Sequence, residues 1–164
     1  LVRSRGLGDV YKRQVERRGI PFAVVYGNHD DAIGVSKEDQ LKMYQQHSLC
    51  LMRDDEPELS GCGNYNLPIL SSDGQRTAFN LYFIDSLGGG GSYYDYVKQD
   101  QIDWYVRTSN ALKAANGGVP VPSMELQHIP LPELRTVASE GLIHTGENNE
   151  GVSGPYYNLS LIHI

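Results

Sequence analysis

Pro21-Phe22-Ala23-Val24-Val25-Tyr26 runs without a break into Gly27-Asn28-His29-Asp30-Asp31, and this junction constrains the chain more than any other feature. A continuous apolar run rich in β-branched residues reads as a strand buried on both faces, as in layered α/β folds. The change to Gly, Asn, His and Asp then puts polar, chemically competent side chains at the carboxyl end of that strand. In open α/β sheets that end is where ligands bind. One stretch of sequence therefore points to both the fold class and the position of a site.

The remaining pattern agrees with α/β. Val15–Gly19 reads as the tail of a helix stopped by Gly19. Ser36 followed by Asp39 predicts a helix start, the helix reaching about His47 with Leu41 and Tyr44 inward. Asn64–Ile69 and Thr77–Asp85 read as two strands joined by Ser72-Asp73-Gly74-Gln75, where Asp-Gly signals a hairpin. Gln99–Ala115 predicts an amphipathic helix ended by Gly117-Gly118, with Ile102, Tyr105 or Val106, Ser109 and Leu112 on one face and Trp104 in the core. Prolines and a short strand over Val119–Gln127 bring the chain to His128, and Pro130-Leu131-Pro132 is expected to open a short helix through Ala138. Helices, a hairpin and isolated strands together imply layered α/β with mixed sheet.

Charge and composition remove several classes. The formal charge of −6 argues against general nucleic-acid binding, which needs clustered cations. No apolar run approaches the roughly 20 residues that cross a bilayer. Two cysteines, Cys50 and Cys62, are too few for a disulfide framework or a structural zinc site, and are expected as thiols. The Gly88–Ser92 run lacks the Gly-Lys-Ser/Thr of a nucleotide phosphate loop, and no Gly-x-Ser-x-Gly elbow exists for a serine hydrolase. His47, His144, Asp54-Asp55-Glu56 and Glu147–Glu150 read as solvated. Tyr93, Tyr94 and Tyr96 are expected against the sheet.

The two ends read differently. Asp9-Val10-Tyr11-Lys12-Arg13-Gln14 is encodable by GATGTGTATAAGAGACAG, and Leu159-Ser160-Leu161-Ile162-His163-Ile164 by its reverse complement. Both strings resemble the transposase mosaic end used in sequencing libraries. Residues 1–14 and 159–164 are therefore expected to be translated adapter and flank, leaving 15–158 as the native part of a domain truncated at both ends. Removing these ends deletes four cations and one carboxylate, which takes the charge from −6 to −9. Compartment and oligomeric state are not legible.

Two places carry chemistry. Asn28 offers a neutral, hard oxygen to a cation. His29 can move a proton near neutral pH, and a neighbouring carboxylate such as Asp30 can fix its tautomer. Asn28-His29-Asp30-Asp31 is also an ordinary turn-forming sequence. His128, at the end of the predicted last strand, is alone in its segment, and a lone histidine is commonly just a surface or core residue.

These stretches, with Gly61-Cys62-Gly63-Asn64-Tyr65, Asn80–Ser86, Tyr94–Tyr105 and His128-Ile129-Pro130-Leu131-Pro132-Glu133, resemble the calcineurin-like metallophosphoesterases in order and spacing, specifically the purple acid phosphatase-related branch. The resemblance implies a partial layered α/β/β/α sandwich with mixed sheets. It also implies a phosphoesterase that hydrolyses phosphate esters with a bridging hydroxide on two divalent or trivalent metal ions (Mn, Fe or Zn). Asn28 and His128 would ligate one metal, His29 would protonate the leaving oxygen, and Asp30 would orient His29. The family's Asp-x-His, upstream Gly-Asp and downstream Gly-His-x-His blocks are missing, so the chain alone is expected to be inactive. A non-catalytic binding module is the alternative, with Asn28–Asp31 merely turning the chain.

Overall fold

The computed structural model describes residues 14–30, 34–88 and 95–131. Both expected adapter segments, apart from Gln14, lie outside these residues, as do Tyr93, Tyr94, His144, Glu147–Glu150 and the helix expected through Ala138.

Helix α1 spans Lys37–Tyr44. Its cap is the one the sequence predicts: the Ser36 hydroxyl accepts from the Asp39 N–H at 3.1 Å, satisfying a backbone donor of the first turn. The helix stops at Gln45, short of His47, but Leu41 and Tyr44 pack inward. Strands β1 (Tyr65–Leu70) and β2 (Thr77–Phe83) form the expected antiparallel hairpin, with Tyr65 opposite Phe83. Its turn is closed by Gly74 N–H on Ser71 C=O at 2.8 Å. Helix α2 spans Gln99–Ala115 and ends in two left-handed glycines, Gly117 and Gly118. Strand β3 (Ser123–Leu126) pairs parallel with β2, so the sheet is mixed, in the order β1-β2-β3.

Alternation along β2 builds the two sides of the core. Leu81 and Phe83 join Tyr65, Tyr26 and Met52 on one face, where the Tyr65 and Phe83 rings stack at 4.5 Å. Tyr82 and Ile84 point the other way and pack with Leu59 and Trp104 of α2. The inward face of α2 is in part the expected one: Trp104 is in the core, Leu112 packs against it and the Tyr105 ring lies 4.7 Å from that of Tyr82. Gln101 and Trp104 are buried, whereas Ile102 and Val106 are 44% and 48% exposed. Apolar spacing missed the deepest position because it is held by a polar residue: the Gln101 side chain bonds Asn64 Oδ1 and Asp85 C=O at 2.9 and 2.7 Å.

Other expectations are corrected. Residues 22–26 are extended, but Phe22 makes only an isolated parallel bridge to Cys50, and of the five only Tyr26 is buried. A side chain substitutes for a neighbouring strand at Val24: the Tyr65 hydroxyl donates to Val24 C=O at 2.7 Å and accepts its N–H at 3.1 Å. His47 is not solvated; its Nδ1 meets Glu16 Oε2 at 2.8 Å, and its ring lies edge-on to Phe22. Asp54, Asp55 and Glu56 are tied down by Asn64 N–H, Arg53 and Arg107. Tyr96 is 63% exposed rather than against the sheet, under the ammonium of Lys98.

Candidate functional site

The extended segment 22–26 ends at Gly27, and residues 27–30 form a closed turn. Asp30 N–H donates to Gly27 C=O at 3.3 Å, and Asp30 Oδ2 accepts the Gly27 N–H at 2.6 Å. Asn28 sits in this turn half-buried, while His29 projects into solvent. The second half arrives from β3. Ile84 N–H reaches Leu126 C=O at 3.0 Å, extending the parallel pairing, and Ile129 N–H reaches Ser86 Oγ at 2.9 Å. These bonds straddle His128 and aim it at the turn.

The two halves meet. His128 Nε2 lies 3.0 Å from Asn28 Oδ1 across 100 residues of sequence. The contact is a hydrogen bond when Nε2 carries the proton; with the proton on Nδ1, two lone pairs face each other, the arrangement a shared cation would occupy. Gly27 is what permits the approach: a Cβ there would fall 2.9 Å from His128 Cδ2 and 3.1 Å from Nε2. The glycine thus serves close packing of an imidazole.

The donor set fits a cation. Two ligand atoms about 2.1 Å from one metal, at right angles, stand about 3.0 Å apart, which is the Asn28–His128 spacing. One amide oxygen and one imidazole suit a borderline divalent ion. Two ligands do not complete a site, and among the described residues no group of three or more His, Cys, Asp or Glu gathers for one. The pair forms a shelf and lines neither the depression bounded by Leu70, Thr77 and Leu112 nor the one bounded by Ser36, Gly61 and Asp85.

Behind the shelf is a buried polar cluster that sequence reasoning missed. Asp85, wholly buried, accepts Lys37 Nζ on both oxygens at 2.9 Å, Cys62 N–H at 3.0 Å and Leu87 N–H at 3.0 Å. Leu87 is held at φ 67°, a conformation costly for a residue with a branched side chain. Gly61 must lack a side chain, since a Cβ there would sit 2.8 Å from Asp85 Oδ2. Burial here pushes the Cys62 thiol up to about 12. The available signal was a carboxylate, Asp85, directly after the apolar run of β2.

No family model matches the chain, and no solved structure matches it. Curated proteins do. The chain is 30% identical over 160 residues to Probable inactive purple acid phosphatase 14 of Arabidopsis thaliana, covering 85% of the chain and 40% of that protein. It is 30% identical over 161 residues to Probable inactive purple acid phosphatase 29 of the same plant, with the same coverage. Against Phosphatase DCR2 of Saccharomyces cerevisiae it is 31% identical over 158 residues, covering 86% of the chain and 26% of the relative. The α/β fold and these relatives tie the chain to the calcineurin-like phosphoesterases. Within that class its kinship is with purple acid phosphatase-like proteins, of whose length it spans about two fifths or less.

Proposed function

We propose that this chain carries part of the active centre of a metal-dependent phosphoesterase, in which Asn28 and His128 hold one metal of a dinuclear pair. The observation that carries the reading is the 3.0 Å convergence of Asn28 Oδ1 and His128 Nε2, two groups brought together only by the fold. It favours this reading over a ligand-binding module, in which the two side chains have no reason to converge. Two bound metal ions (Mn, Fe or Zn) would supply water activation and charge neutralisation on a phosphate ester. His29, exposed beside the pair, is placed to give a proton to the leaving oxygen. The Asp30 carboxylate accepts the Gly27 N–H and makes no hydrogen bond to the His29 ring, so it would fix the His29 tautomer only after leaving that turn contact. The remaining ligands would come from parts of such a phosphoesterase that this chain, about two fifths of its relatives' length, does not span. By itself the chain then binds metal weakly and does not turn over, and two relatives bear the word inactive in their names.

Zinc titration of the chain, followed by the imidazole ¹⁵N resonances, tests this. His128 should shift at submillimolar to millimolar Zn²⁺, and Asn28→Ala should abolish the response. No perturbation of His128 at 5 mM Zn²⁺ (roughly a 3 kcal/mol ceiling on affinity) would remove the metal assignment. In the intact reading frame, His29→Ala should cost about 10²–10⁴ in kcat on an alkyl phosphate, whose leaving group needs a proton. It should cost far less on p-nitrophenyl phosphate, whose leaving group does not.

A further inference from the structure

We infer that Gln40 and Ser86 are positioning residues for the Asn28–His128 pair, and that the buried Lys37–Asp85 ion pair couples them into one brace behind the site. The inference rests on the phosphoesterase reading for its purpose, but not for its geometry.

Each half of the site hangs on one of these side chains. Gln40 Nε2 donates to Asp30 C=O at 2.8 Å and to Val35 C=O at 2.9 Å, so a single amide pins the turn bearing Asn28 and the chain entering α1. Ser86 Oγ accepts the Ile129 N–H at 2.9 Å, pinning the residue after His128. Gln40 and Ser86 are 7% and 1% exposed, so water competes poorly for either bond. Lys37 lies one turn before Gln40 on the same face of α1, and Asp85 directly precedes Ser86. The Lys37–Asp85 contact therefore fastens the helix that holds one half to the strand end that holds the other. The path Asp30–Gln40–Lys37–Asp85–Ser86–Ile129 runs from one half-site to the other through hydrogen bonds, an ion pair and short covalent links. None of its four side chains touches the Oδ1–Nε2 contact, so their effect on it is through position. An amide and a hydroxyl are uncommon in a core unless they bond something specific, and here both bond the backbone of the site.

The test is Ser86→Ala and, separately, Gln40→Met, in the 164-residue chain at pH 8. Trp104 emission and near-ultraviolet circular dichroism report the fold. Nuclear Overhauser contacts between the His128 ring and the Asn28 side chain report the spacing of the pair, and Zn²⁺ titration reports the joint site. The unsubstituted chain should show those contacts. Each variant should keep the fold, lose them, and weaken Zn²⁺ about tenfold. Ser86→Thr, which retains the hydroxyl, should restore both readouts, and Ser123→Ala, on a hydroxyl far from the pair, should change neither. A folded variant with the contacts and affinity unchanged overturns the inference. Should Ser86→Ala fail to fold, Gln40→Met decides by the same readouts. If the contacts are lost in the variants while the unsubstituted chain shows no Zn²⁺ effect at His128, the brace stands and the metal assignment falls.

Discussion

Replacing Asp85 by Asn removes one charge and keeps the shape, so its cost reports the buried ion pair together with the backbone donors that the carboxylate satisfies. The carboxylate is wholly enclosed and accepts four hydrogen bonds, two from Lys37 Nζ and one each from Cys62 and Leu87 N–H. An asparagine supplies one oxygen where two are needed. In either orientation its NH₂ faces the Cys62 or the Leu87 donor, and Lys37 loses the charge it touches. Removing one partner of a buried pair costs about 3–5 kcal/mol. A domain holds only about 5–15 kcal/mol, so a large share of the transition should disappear. Urea unfolding followed by Trp104 fluorescence measures it. The double change Lys37→Met with Asp85→Leu should recover little, because it removes the attraction and the desolvation penalty together but leaves the Cys62 and Leu87 N–H groups without an acceptor. Asp39→Ala, which breaks the exposed Lys42–Asp39 pair at 2.8 Å, should barely move the transition and serves as the control. A loss below 1 kcal/mol for Asp85→Asn, with an unchanged denaturant slope, would refute the reasoning.

Three further outcomes follow from the same structure. Tyr65→Phe should destabilise by about 1–3 kcal/mol, since the lost hydroxyl satisfies both backbone groups of Val24, and amide exchange at Val24 should accelerate. Cys62, whose thiol burial lifts to about 12, should resist iodoacetamide at pH 8 in native buffer and react once urea unfolds the chain. The sign for stability is set by the same shift: above about pH 9 the unfolded thiol ionises and the folded one does not, so stability should fall as pH rises from 9 towards 12. Gly27→Ala should displace the His128 ring, because the added carbon would come within 2.9 Å of Cδ2, and nuclear Overhauser contacts between His128 and Asn28 should vanish while the fold persists.

Much of this molecule is local and therefore legible in sequence. Ser36 caps α1, Asp73-Gly74 turns the hairpin, and Gly117-Gly118 stops α2, because each depends on the backbone preferences and short-range hydrogen bonds of adjacent residues. The loop at Asn28–Asp30 was likewise visible as an abrupt polar end to an apolar run. What the one-dimensional pattern could not supply was partnership. The apolar run 22–26 looks like a central strand, yet a tyrosine hydroxyl 41 positions away replaces one of its neighbours. On α2, Trp104 and Leu112 were legible as core, but Gln101 was not, because it is buried by bonds to Asn64 and Asp85 and hydrophobic spacing cannot register a polar side chain that is fully satisfied. The Lys37–Asp85 pair, 48 residues apart in sequence, was invisible for the same reason. The sequence by itself determined which residues were chemically able to hold a cation or move a proton. Tertiary packing alone decided that Asn28 and His128 stand 3.0 Å apart, because a contact spanning 100 residues exists only when β3, the end of β2 and the Gly27 turn are all in place.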